Sequence, residues 1–219
     1  MQEDIMGHTC LIITAYIDAI DHLHMDFDAF DHVVCADGGL TNARILGLQP
    51  AHLIGDFDSE HKSLDDPMSR TCEIIRLPAE KNMTDTEAAV DLAVSRGYTR
   101  ITCLGGLGGR FDHTMGNIGM LSKYCGTGVD LDFVDGINRV TMLSPGMYKV
   151  RPDGYYYLGF FAWGGTVTGL TLDGTKYPLT DFTLPDDTSR CVSNEILSGE
   201  AAVSFKTGRL LMIQSSDMK

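Results

Sequence analysis

Leu53-Ile54-Gly55-Asp56-Phe57-Asp58-Ser59 sets an apolar run directly against two carboxylates spaced two residues apart. If the run is a β-strand, side chains two apart share a face, so Asp56 and Asp58 are expected side by side while Phe57 turns back into the core. Like charges held that close raise each other's pKa unless a cation lies between them. A solvated turn explains the same letters, since Gly, Asp and Ser are ordinary turn formers.

Working outward, apolar runs at 11–15, 33–36, 73–77 and 101–104 join 52–55 as strand candidates, and stretches 40–48, 86–96 and 113–124 between them have helical composition and period. Strands alternating with helices imply a parallel sheet with crossover helices. Ligands of such a sheet gather beyond the carboxyl ends of its strands. After about Gly128 the segments 139–143, 155–161, 166–172, 201–205 and 210–214 are short, rich in β-branched or aromatic residues, and separated by Pro-Gly, Asp-Gly, Gly-Gly and Thr-Gly turns. The expected fold class is α/β plus all-β. An N-terminal three-layer parallel-sheet domain takes residues 1–128 and a C-terminal β-sandwich domain takes residues 129–219.

Composition removes several function classes. The 30 acidic against 17 basic residues of this 219-residue chain give a net charge of -13, and no Lys/Arg run offsets it, so nucleic acid is not an expected partner. The longest early apolar run, 10–17, falls far short of the about 20 residues that span a bilayer, and it follows acidic residues, unlike a secretory signal. A cytoplasmic protein with no membrane partner is expected. Cys10, Cys35 and Cys103 lie inside strand-like runs and no CxxC pair is present, which points to reduced structural thiols. His22 and His24 read as a solvated loop rather than a metal site.

Each predicted strand of the first domain ends in polar or glycine residues. Asp37-Gly38-Gly39 follows 33–36, and 78–85 follows the run at 73–77; Gly105-Gly106-Leu107-Gly108-Gly109-Arg110-Phe111-Asp112-His113 follows 101–104. Together with the opening stretch they converge on one rim, where Asp37, Asp56, Asp58, Asp85 and Asp112 meet Lys81 and Arg110. Carboxylates with so few cations suit Mg²⁺, which takes one or two protein carboxylates and completes its shell with water and substrate phosphates. The glycine run lets backbone N–H groups approach phosphate oxygens, and Arg110 adds a fork of donors. GGLGG alone matches neither GxxxxGK[ST] nor GxGxxG. Thr84 or Asp85 is also an expected helix N-cap, a role that would by itself account for the pair, and Asp112-His113 reads equally as a helix start.

ADGG at 36–39, GDFDS at 55–59, AEKNMTDTE at 79–87, GGLGGRFDH at 105–113 and VSNE at 192–195 occur in that order, and the set resembles the thiamin pyrophosphokinases of the bacterial type. The resemblance implies an α/β nucleotide-binding catalytic domain joined to a β-sandwich thiamin-binding domain. It further implies a homodimer with the site near the subunit interface, and ATP-dependent thiamin diphosphokinase activity. In that reaction Mg²⁺ assists transfer of pyrophosphate from ATP to the thiamin hydroxyl, leaving AMP. By the same resemblance Asp56, Asp58 and Asp85 hold the metal and, with Lys81 and Arg110, are catalytic. Asp37, Gly38, Ser59, Thr84, Gly108, Gly109, Arg110, Asp112 and His113 would surround the nucleotide, and Tyr177, Ser193 and Asn194 would contact thiamin. From the residues alone, Tyr177 flanks a turn and Ser193-Asn194 is a β-turn. Nor do the carboxylates alone choose between phosphoryl and pyrophosphoryl transfer. Transfer to another hydroxymethyl heterocycle such as a pterin, or non-catalytic binding of thiamin or nucleotide, stays open on that ground. The family's usual E-K-D-x-T-D departs here at Asn82, where a carboxylate would either help hold metal or orient Lys81 and its loop.

Overall fold

Thr9–Ile13 (β1) carries four buried residues in a row, the pattern of a strand covered on both faces. In the computed structural model, which describes residues 8–57 and 67–218, it is the centre of a parallel set. His32–Ala36 (β2), His52–Gly55 (β3) and Glu73–Arg76 (β4) follow in order on one side. Arg100–Leu104 (β5) and Asp130–Val134 (β6) follow on the other. The direction of winding therefore reverses between β1 and β5, which opens a crevice above their carboxyl ends.

Helices Gly39–Ile45 (α1), Asp85–Ser95 (α2) and Phe111–Tyr124 (α3) make the crossovers. The second and third lay Ala88, Ala89, Val90, Met120 and Leu121 on one face of the sheet against Ile12, Val34, Ile101 and Phe133. Lys123 ties them together, 3.1 Å from Glu87 and 2.9 Å from Asp91. On the other face α1 packs Leu40 and Ala43 against Leu11, Ile13 and Leu53, and segment 17–30, with two 3₁₀ turns, adds Leu23, Met25, Phe27 and Phe30. Gly39 is required where α1 leaves the rim, because a Cβ there would lie 2.0 Å from the Ile13 carbonyl oxygen.

The buried Asp135 carboxylate accepts from the backbone N–H groups of Ile137 (2.9 Å) and Asn138 (2.7 Å), turning the chain into Asn138–Leu143 (β7), antiparallel to β6. Gly146–Val150 (β8), Tyr157–Ala162 (β9), Val167–Asp173 (β10), Leu179–Leu184 (β11), Asn194–Glu195 (β12), Ala201–Phe205 (β13) and Leu210–Ser215 (β14) complete the strands. Strands β7, β14, β9 and β12 extend the parallel set into one ten-stranded sheet, and β11, β10, β13 and β8 form a second, antiparallel sheet. Leu158, Phe160, Leu210 and Met212 of the large sheet face Leu170, Leu172, Val203 and Phe205 of the small one, which is the sandwich.

Layers and sandwich follow the expectation. Parallel pairing ends at β6, which runs parallel to β5 and antiparallel to β7. Asp132 interrupts the apolar pattern of β6, and it is accommodated there by Thr102 Oγ1 at 2.7 Å and Arg139 Nε at 2.8 Å. The two halves share a continuous sheet. Strands β8 and β11 escaped the sequence reading because they are edges of the small sheet and largely unburied. All six cysteines are free, and burial pushes the thiols of Cys10 and Cys35 up to about 12. Among the described residues no helix is long and apolar enough to cross a membrane.

Candidate active site

β3 stops at Gly55, and Phe57 adopts a left-handed backbone with φ 58. The strand therefore ends before Asp56, and the expected facing of Asp56 and Asp58 involves a residue outside the described ones. Phe57 does return to the core. Asp58 and Ser59 lie outside the described residues. Asp56 meets a cation from another loop: Lys81 Nζ lies 3.2 Å from Asp56 Oδ2 and 3.1 Å from Asp85 Oδ1. The side chains are only 13% (Lys81), 24% (Asp56) and 23% (Asp85) exposed, so the group is shielded yet reachable. Burial pulls the Lys81 ammonium down, and its contacts with Asp85 and Asp56 more than offset this and hold it above the ordinary lysine value.

Thr84 is the N-cap of α2, its Oγ1 accepting from the Glu87 N–H at 3.1 Å, which leaves the Asp85 carboxylate for Lys81 rather than for capping. The buried Asp85 Oδ1 accepts no directed hydrogen bond, its contact with Lys81 being an ion pair. Among the described residues no three His, Cys, Asp or Glu side chains group as a metal cage. Mg²⁺ needs only one or two protein carboxylates, and Asp56 and Asp85 supply that donor set, so the residues fit the ion. Asn82 is exposed, and Lys81 is oriented without it by the two aspartates and the Pro78 carbonyl at 3.5 Å.

Asp37 also adopts a left-handed backbone (φ 45) and donates its N–H to the Ile54 carbonyl at 2.7 Å. A Cβ on Gly55 would lie 3.2 Å from Asp37 Cα, so the ends of β2 and β3 are stitched together. Gly38 then caps α1. The loop after β5 departs from expectation. The N–H groups of Gly105, Gly106 and Gly108, expected to face phosphate, donate to Val134 O (2.7 Å), Tyr16 O (2.9 Å) and Thr114 Oγ1 (2.9 Å). Gly108 and Gly109 are exposed, with φ 109 and 64. Arg110 directs Nη2 and Nε at Asp112, 2.7 and 3.2 Å away, and this holds the Asp112 carboxyl below its usual range. The exposed His113 donates its backbone N–H to the same carboxylate at 3.0 Å.

Tyr177, Ser193 and Asn194 come together elsewhere. Asn194 is 2% exposed; its Oδ1 accepts from Tyr177 N at 2.9 Å and its Nδ2 donates to Tyr177 O at 3.0 Å. It thereby holds the backbone of Tyr177, a residue 58% exposed whose ring lies beside the Lys176 ammonium, 5.7 Å away. Ser193 is exposed with φ 56. Tyr177, Pro178, Leu179, Arg190, Val192 and Asn194 line a cavity of ≈ 390 Å³. Within one chain this cavity is far from Lys81: β12 and β3 are eight strand positions apart in the sheet, roughly 40 Å at the usual spacing of about 4.8 Å.

Two features went unread in the sequence. One is Tyr16, which lies over the glycine loop; nothing in its local letters marks it, and only the strand order brings it to the crevice. The other sits at the opposite, amino ends of the strands. His52 Nδ1 is 2.7 Å from His32 Nε2, its Nε2 contacts Arg96, and Glu73 lies 2.9 Å from the same nitrogen. Burial, reinforced for His52 by Arg96 and for His32 by His52, lowers both histidines below the usual value.

Comparison with known proteins bears on both regions. A family profile described as thiamin pyrophosphokinase, catalytic domain, matches residues 24–131, and one described as thiamin pyrophosphokinase, vitamin B1 binding domain, matches residues 148–212. The thiamine pyrophosphokinase of Bacillus subtilis (strain 168) is 32% identical over 183 residues, which is 83% of this chain and 86% of that protein. The crystal structure of the thiamin pyrophosphokinase from Geobacillus thermodenitrificans, 31% identical, superposes over 96% of this chain and 99% of that one with a TM-score of 0.83. A thiamin pyrophosphokinase family protein from Enterococcus faecalis gives the same TM-score of 0.83 at 30% identity, over 97% and 100% of the two chains.

Proposed function

The chain belongs to the thiamin pyrophosphokinase family, and from that premise we propose that it transfers the pyrophosphoryl group of ATP to the hydroxyl of thiamin, giving thiamin diphosphate and AMP. The observation that carries the assignment to this rim is the Lys81 ammonium held between Asp56 and Asp85 at the carboxyl edge of the parallel sheet. The thiamin hydroxyl attacks the β-phosphorus of ATP, the bond from that phosphorus to the α,β-bridging oxygen breaks, and AMP leaves. A carboxylate of the cluster takes the hydroxyl proton. Such transfer needs positioning and charge neutralisation more than covalent help. Lys81 and Arg110 supply cations to the phosphates, with Asp112 holding the Arg110 fork in place and Asp37, Gly38, Ser59, Thr84, Gly108, Gly109 and His113 around the nucleotide. Asp56 and Asp85, with Asp58, would hold Mg²⁺, whose contribution when bound is to neutralise phosphate charge.

The same reading divides the labour between an α/β part that takes ATP and a β part that takes thiamin through Tyr177 and Ser193, with Asn194 fixing Tyr177. Because those groups stand on opposite reaches of one sheet, the working site is completed by a second copy, as a homodimer. Exposed Phe111 and Met115 near one group and Tyr177 and Leu197 near the other support that contact. The reaction belongs in the cytoplasm, where ATP and Mg²⁺ are supplied. AMP release from ATP and Mg²⁺ that depends on thiamin tests the activity, and release of ADP instead contradicts it. Mixing an inactive Asp56→Asn chain with an inactive Tyr177→Ala chain tests the shared site: about a quarter of wild-type activity returns if two subunits build it, and none if one subunit suffices.

A further inference from the structure

We propose that Tyr16 is the surface on which the nucleobase stacks and the residue that sets a preference for purine nucleotides. This inference deepens the proposed nucleotide site and rests on that reading.

Tyr16 follows β1, and the glycine loop follows β5, so the two face each other across the point where the winding of the sheet reverses. Its backbone is fixed there, the carbonyl accepting from Gly106 N–H at 2.9 Å and from Thr14 Oγ1 at 3.2 Å. The ring lies directly on the loop. A Cβ at Gly108 would come within 3.1 Å of Tyr16 Cε1, and one at Gly109 within 3.4 Å of Cδ2. Although its ring packs on the glycines, Tyr16 is still 46% exposed, so a ligand can reach it. Since Gly105, Gly106 and Gly108 spend their N–H groups inside the protein, what this corner offers a ligand is an aromatic face more than a phosphate cradle.

Spacing agrees with a base at this place. β1 and β3 are separated by β2 alone, about 10 Å centre to centre, which is the reach of a ribose and phosphates between a base over Tyr16 and the Lys81 group. Base–aromatic stacking is worth about 1–3 kcal/mol, or roughly 5- to 150-fold in affinity, and a purine offers more surface than a pyrimidine.

The test compares wild type with Tyr16→Phe, Tyr16→Leu and Tyr16→Ala. It uses calorimetric titration of ATP and CTP with Mg²⁺, steady-state KM for ATP and thiamin, and thermal melting as a check on folding. The expected result is a loss of ATP affinity of about tenfold in Tyr16→Ala and Tyr16→Leu, a smaller loss for CTP, near-wild-type behaviour in Tyr16→Phe, and unchanged KM for thiamin. Tyr16→Leu keeps bulk on the glycine loop without a π face, so full ATP affinity in that variant would overturn the proposal. Equal losses for ATP and CTP, or a Tyr16→Phe as weak as Tyr16→Ala, would overturn it too. Titration separates this from the proposed reaction: a wild type that binds ATP without forming AMP defeats the reaction and leaves the stacking result to be judged by affinity.

Discussion

β3 is four residues long and has a charged cluster at each end, and the two are built in opposite ways. At its carboxyl end Lys81 lies between Asp56 and Asp85, its charge reinforced and the group still reachable from solvent. At its amino end the His52 side chain, 8% exposed, is packed among His32, Arg96 and Glu73, and its charge is suppressed. One end keeps ions available to a ligand that can replace their partners; the other removes a charge to close the structure. In a parallel sheet only the carboxyl edge is lined by the loops that gather ligands, and the chemistry of the two clusters follows that asymmetry.

The comparison can be broken most severely at the rim. Asp56→Asn is expected to lower kcat/KM by about 10²- to 10³-fold while shifting Tm by no more than a few degrees, measured by AMP release and by melting. A change in kcat/KM within threefold would show that the carboxylate is not part of the reacting group. Lys81→Met should cost about 10- to 100-fold in kcat/KM, since it removes a cation from the phosphates and leaves Asp56 and Asp85 facing each other. His52→Ala should do the converse: unfolding free energy falls by about 1–3 kcal/mol in a denaturant titration, and kcat/KM stays within about threefold. If His52→Ala reduced catalysis as much as Asp56→Asn, the two ends would not be distinct.

The smallest effect sharpens the same contrast through pH. His32 and His52 titrate below their ordinary 6.5 in the folded chain, so the unfolded chain binds more protons in that range. Their contribution to stability is complete above about pH 6.5 and is lost as pH falls from there through the folded values. Tm is expected to drop by a few degrees between pH 7 and pH 5, and by less in His52→Ala. Equal slopes in the two proteins would show that the buried histidines do not carry the effect.

Much of this was legible in the letters because it is local. Apolar runs ending in glycine and acid marked β2, β3 and β5 and their rim, and turn pairs marked the β half. Thr84 announced a cap and proved to be one. What stayed hidden depends on strands brought side by side. The letters around Asp56 do not name Lys81, twenty-five residues on, as its partner; the two meet once β3 and β4 align their loops. The glycines of 105–109 read as a phosphate loop, yet two of their N–H groups go to Val134 and Tyr16, neighbours that only the sheet order identifies, and a third goes to Thr114 on the following helix. Nothing in the letters around Asn194 shows that its amide also bonds both backbone groups of Tyr177, seventeen residues earlier; only the folded chain brings the two together.

The central claim, that the rim transfers a pyrophosphoryl group to thiamin, is tested most directly by phosphorus NMR of the purified protein with ATP and Mg²⁺, with and without thiamin, alongside Asp56→Asn and His52→Ala. Resonances of AMP and thiamin diphosphate should grow only with thiamin, at similar rates in wild type and His52→Ala, and be nearly absent in Asp56→Asn. Formation of ADP or free phosphate in place of AMP, or undiminished turnover in Asp56→Asn, would contradict the account.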